Sequence, residues 1–171
     1  MDDQEKIIIE SDEIDFDAQI ESKPTIRVLS FFLGIEHYCI DIASAKEVFK
    51  PTSITKTPNT PPFVVGVTNL HGEIIPILDI KHFLGLEQKE GLGGAKIIAT
   101  DVGRNLIGIM VDDIGEALEI FEESIQPPIA TIKGVLAKFT KGQIEIGADI
   151  LILLDLGSVL ECEEIRDLKK R

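Results

Sequence analysis

The chain has 171 residues, with 30 acidic against 17 basic side chains and a formal charge of −13. That length suits one domain or two small lobes sharing a core. The acidity argues against a protein that grips nucleic-acid phosphates or anionic membrane surfaces, since either needs basic surface.

Ile (28), Leu (16) and Val (9) together make up about 31% of the residues. This is too apolar for a disordered chain, and the excess of Ile tilts the expectation towards β-strands. The charge is uneven. Residues 1–25 carry nine carboxylates and two lysines, −7 of the −13, leaving −6 for the 146 residues that follow. Residues 1–25 are expected to form an acidic, flexible N-terminal arm.

From Ile26 the pattern sharpens. Ile26–Leu33 and His37–Ile42 read as a hairpin about Gly34-Ile35-Glu36. Ser44-Ala-Lys-Glu47 has the form of a capping box and predicts a short helix that Pro51 stops. A brief strand at Ile54–Lys56 leads into a loop marked by Pro58, Pro61 and Pro62. Phe63–Leu70 and Glu73–Leu78 read as strands about a tight His71-Gly72 turn. Asp79 is placed to cap a short helix over Ile80–Leu84, ended by Gly85.

Glu87–Gly94, with glycines at 91, 93 and 94, is the expected lobe boundary near 87–94, with room for strands to exchange between the lobes. Beyond it, Lys96–Asp101 and Leu106–Val111 form a hairpin, followed by a strand at Glu116–Phe121. Gly134–Phe139, Gln143–Ile146 and Ile150–Leu154 read as three more strands. Leu156–Leu168 carries apolar residues on one helical face, so residues 161–171 are expected to be the end of a C-terminal helix.

A weak internal repeat runs through this order. Gly66-Val67…Gly72…Asp79 is echoed by Gly134-Val135…Gly142…Asp155. The expected class is mainly β: two lobes of about five strands each, as small barrels packed face to face around a shared hydrophobic core.

Reactive chemistry is hard to find in the sequence. His37, His71 and His82 lack metal-ligand spacing, and Cys39 and Cys162 form no C-x-x-C. No P-loop, no dinucleotide fingerprint and no G-x-S-x-G context is present. Asp112-Asp113 and Glu122-Glu123 are adjacent carboxylates, which point to opposite faces of a strand and fit poorly as an acid/base pair. No catalytic, cofactor or metal site is expected. The cysteine usage, the missing basic–apolar leader and the lack of an apolar run near ~18 residues favour a cytoplasmic setting without membrane insertion. What remains is a surface. The segment Gly66–Asp79, with glycines flanking Asn69 and His71 beside apolar strands, reads either as a plain hairpin turn or as a surface suited to docking another protein's helix.

At these residues the chain resembles the CheW-type chemotaxis coupling proteins, the CheW-like domain family. The resemblance rests on Phe31-Phe32-Leu33-Gly34-Ile35-Glu36-His37-Tyr38-Cys39-Ile40-Asp41-Ile42, then Lys46-Glu47-Val48 and Ile54-Thr55-Lys56-Thr57-Pro58. It continues through Pro61-Pro62-Phe63-Val64-Val65-Gly66-Val67-Thr68-Asn69-Leu70-His71-Gly72 and Ile75-Pro76-Ile77-Leu78-Asp79-Ile80. Gly108-Ile109-Met110-Val111-Asp112 and Ile152-Leu153-Leu154-Asp155 fit in the second half. The resemblance covers about residues 26–160.

It implies two SH3-like, five-stranded β-barrels and a non-enzymatic adaptor. Such a protein bridges the cytoplasmic tips of chemoreceptors to the regulatory domain of the histidine kinase CheA, within membrane-associated arrays. The receptor-facing groove implied by the resemblance uses Ala45, Glu47, Val48, Gly66, Asn69, His71 and Gly72, with Val111 joining from the second half. The family usually carries Arg where this chain has His71, trading a permanent bidentate charge for an imidazole. An adaptor of a non-flagellar pathway (pilus motility or gene regulation) is an alternative within the family. A small-molecule-binding or enzymatic β-barrel is the alternative outside it. The length is expected to leave no room for the fused receiver domain of the CheV-type variant.

Overall fold

The Gly34-Ile35 turn folds β1 (Thr25–Leu33) back on β2 (Glu36–Asp41), with Leu29 opposite Ile40 and Phe31 opposite Tyr38. The computed structural model describes residues 23–87, 93–102, 104–128 and 135–161. Most of the acidic arm, residues 88–92 and 129–134, residue 103 and residues 162–171 lie outside the described residues.

After β2 come β3 (Glu47–Phe49), β4 (Val64–Leu70), β5 (Glu73–Leu78) and the one-turn helix α1 (Lys81–Leu84). Strands β6 (Lys96–Val102), β7 (Asn105–Val111) and β8 (Asp113–Phe121) follow. The chain ends in helix α2 (Val135–Lys138), the hairpin β9 (Thr140–Ile146) and β10 (Asp149–Leu154), and helix α3 (Leu156–Leu160). The fold is mainly β. Two five-stranded sheets form, in the orders β8-β1-β2-β10-β9 and β3-β6-β7-β5-β4.

These orders expose the repeat. Each half runs hairpin, single strand, hairpin, helix, and in each half the single strand and the second hairpin lie in the other sheet from the first hairpin. Thus β3 pairs with β6 and β8 pairs with β1, both antiparallel. Both sheets therefore draw strands from either side of 87–94. The halves also share finer detail. Asp79 N–H donates to the Phe63 carbonyl at 2.8 Å and Asp155 N–H to the Phe139 carbonyl at 2.7 Å. Ile77 pairs in parallel with Gly108 as Leu153 does with Cys39.

Three local expectations are corrected. The register of the repeat matches Gly66 to Gly142, not to Gly134: each lies one residue before a bridge that links its strand to an upstream segment, Val67 to Thr55 and Gln143 to Gln126. Second, Ser44-Ala-Lys-Glu47 is not a helical capping box. The Asp41 carboxylate instead accepts the Ala43 N–H at 2.9 Å, giving a single 3₁₀ turn at Ile42–Ser44. Val48 and Phe49 are weak helix formers, and the open edge of β6 offers them a ladder from Phe49–Ile97 to Glu47–Ala99. Third, Val135–Lys138 is a helical turn rather than part of a strand. Ala137 and Lys138 favour helix, and the expected Gln143–Ile146 strand begins earlier, at Thr140.

Strands β1 and β7 are buried over consecutive residues and read as near-continuous apolar runs, whereas β4 and β5 alternate buried and open positions. A central cluster between the sheets gathers Phe31, Leu33, Tyr38 and Ile40 from one and Leu78, Ile98, Ile109 and Val111 from the other. Helices α1 and α3 close it with Phe83, Leu84, Val159 and Leu160. Inside the first lobe, Val28, Cys39, Ile144, Leu151 and Leu153 form a second cluster. Inside the other, Leu70, Ile75, Ile77, Ile97, Ala99 and Met110 form a third.

Candidate functional site

Strands β3 and β4 lie at opposite edges of the second sheet, and the chain between them draws those edges together. Thr55 and Val67 exchange two backbone hydrogen bonds of 2.8 Å. Gly66 permits the approach: a Cβ there would stand 2.4 Å from the Thr55 carbonyl oxygen.

Along β4 and β5, alternation sorts the side chains. Thr68 and Leu70 share a face with Ile75 and Glu73, and Leu70 and Ile75 belong to the inner cluster. Asn69 lies opposite Ile74 on the outer face. The turn between the strands has positive φ at both central residues, 53° at His71 and 89° at Gly72. That is the condition for the tight hairpin turn whose twist suits its strands. The Asn69 side-chain oxygen accepts the Gly72 N–H at 3.0 Å and fixes the turn.

Glu47 enters from β3. It pairs with Ala99, while Phe49 pairs with Ile97. Since Phe49, Ile97 and Ala99 all belong to the inner cluster, Glu47 sits at the mouth of the lobe interior. There the turn reaches it: His71 Nε2 is 2.8 Å from Glu47 Oε2 and 3.0 Å from Oε1. Beside this pair, Lys46 Nζ lies 3.2 Å from Asp101 Oδ2.

Among the residues singled out in the sequence, Glu47, Asn69, His71 and Gly72 meet at this rim, and Val48 is 39% exposed on the adjoining strand. Ala45 is half-buried and packs against the central cluster. Gly66 is buried and serves the edge-to-edge approach. Val111 is corrected: at 1% exposure it is a core residue and presents no side chain to a partner. Sequence reasoning missed Ile74, an aliphatic side chain 62% exposed beside Asn69. The signal was present in Ile74-Ile75, because consecutive strand residues cannot both face inward. Among the described residues, no three His, Cys, Asp or Glu side chains are grouped to hold a metal ion.

The fold and the site thus define a two-lobed β module, each sheet built from both halves of the chain, whose gathered polar residues lie on an open rim. The model of the CheW-like domain matches residues 27–164. The chain belongs to the CheW-like domain family. It is 32% identical to the chemotaxis protein CheW of Klebsiella aerogenes over 137 residues, 80% of this chain and 82% of that protein. It is also 32% identical to the chemotaxis protein CheW of Treponema pallidum over 148 residues, 83% and 86% of the two chains. The crystal structure of the scaffolding protein TtCheW from Thermoanaerobacter tengcongensis superposes with a TM-score of 0.72 at 31% identity, covering 82% of this chain and 96% of that one. Among the described residues, no helix is long and apolar enough to cross a membrane.

Proposed function

We propose that this chain is a non-enzymatic scaffold of chemotaxis signalling that couples the cytoplasmic tip of a chemoreceptor to a CheA-type histidine kinase. It works in the cytoplasm, recruited to membrane-associated arrays. The observation that carries the reading is the rim of the second lobe. Glu47 and His71, 24 residues apart, meet there beside Asn69, Gly72, Val48 and Ile74. An exposed aliphatic side chain next to a fixed turn and a polar pair is the composition of a helix-docking surface. Family membership and the scaffolding description of TtCheW support the same reading.

The test is co-purification of the full chain with a receptor-tip fragment and the kinase regulatory domain from the same cell. A ternary complex is expected, and Ile74→Asp should remove the receptor fragment while leaving the kinase domain bound. Absence of both binary complexes overturns the coupling role.

A further inference from the structure

The His71–Glu47 contact also decides which ring nitrogen is open to a proton. An ionised carboxylate accepts hydrogen bonds and donates none. Nε2 of His71 stands within 3.0 Å of both Glu47 oxygens, so this nitrogen is the one that carries the hydrogen. The neutral imidazole is then the Nε2–H tautomer, and the nitrogen left to take up a proton is Nδ1. Among the described residues Nδ1 has no protein partner, and the His71 side chain is 75% exposed, so water reaches it. A proton at Nδ1 thus leaves the Nε2 contact in place. With a proton on Nδ1 the pair is net neutral, and without it the pair carries one negative charge.

The surrounding charges are few. Glu73 follows the turn on β5, and Asp101 on β6 is held by Lys46 of the segment before β3. Imidazole is the side-chain type whose ordinary range lies nearest neutral pH.

Resting on the docking role given above, we propose that partner binding at this rim is linked to protonation of His71 at Nδ1. A partner seated over the rim strips water from the pair. Burying a compensated ion pair costs less than burying a carboxylate beside a neutral ring. Binding thus takes up a proton and tightens as pH falls.

Two measurements on the full chain test this separately. Long-range ¹⁵N–¹H NMR of the free protein from pH 5 to 8.5 should show Nε2 protonated throughout and Nδ1 titrating; a neutral Nδ1–H form overturns the assignment. Titration with the receptor-tip fragment should give a Kd about fivefold lower at pH 6 than at pH 8. That dependence should vanish in His71→Arg, which is always charged, and in His71→Asn, which never is and still tolerates the positive φ. A wild-type Kd that is flat with pH, or a dependence surviving in both variants, overturns the linkage. No binding by any form at either pH overturns the docking reading itself, while the NMR result still decides where the proton sits.

Discussion

Lys81 Nζ lies 2.7 Å from Asp112 Oδ2 and joins the two lobes through a nearly closed site. The lysine side chain is 4% exposed and the aspartate 30%. Lys81 comes from α1 on the second sheet. The same Asp112 oxygen accepts the Gly34 N–H of the β1–β2 turn, and the Asp112 N–H donates to the Phe32 carbonyl at 3.0 Å.

The two halves of this pair are unequal, and the inequality is measurable. Asp112→Ala strands a buried ammonium and should cost about 3–5 kcal/mol. Lys81→Met leaves a carboxylate that keeps the Gly34 N–H and water, so its cost should be about 1–2 kcal/mol. Urea unfolding of the full chain compares them; equal losses would contradict the burial argument.

Gly66 and Gly142 hold matching places in the two lobes. A Cβ at Gly142 would stand 2.5 Å from the Gln126 carbonyl oxygen, as one at Gly66 would crowd Thr55. Each Gly→Ala variant should lose about 1–3 kcal/mol by overpacking against backbone. The double variant should lose about the sum, since the sites lie in different lobes. Thermal or urea unfolding gives all three values.

Burial pushes the Cys39 thiol from 9.0 up to about 12. With Cys162 replaced by Ser, native protein at pH 8 should resist thiol reagents and become reactive on unfolding. The sign with pH follows. Above about 9 the unfolded chain releases this proton and the folded chain holds it, so stability falls between about 9 and 12. At pH 10 the loss from this group should be about 1 kcal/mol, absent in Cys39→Ala. Tyr38, raised by burial and then by its hydrogen bond to Glu36, adds to the same alkaline decline.

Asn69→Ala removes the acceptor for the Gly72 N–H and should destabilise the chain by about 0.5–1.5 kcal/mol. If the turn is the docking element, receptor-fragment binding should weaken more than stability does. Asn69→Asp, which keeps the acceptor, should retain the turn. Calorimetric titration beside thermal unfolding separates the two effects.

Much of this molecule was legible along the chain. The Gly34-Ile35 and His71-Gly72 turns, the strands they join, and Asp79 before α1 all follow from local chemistry: glycine at positive φ, β-branched runs, a carboxylate near an open N–H. Those signals act within a few residues, so sequence order preserves them. The motif from Phe31 to Ile80 carried the family for the same reason.

Tertiary structure decided what depends on distant partners. Glu47–Phe49 is a strand because β6, some 50 residues on, offers an open edge that outweighs a one-turn helix. Val111 looked like a candidate contact until the central cluster closed over it. That β3 to β7 build one sheet while β8 to β10 return to β1 and β2 in the other is set by which apolar faces find cover. Glu47 and His71 were each visible as candidates, yet their meeting depends on a sheet whose edges are drawn together by Thr55 and Val67. Periodicity and turn residues specify elements; long-range burial and pairing choose which element covers which.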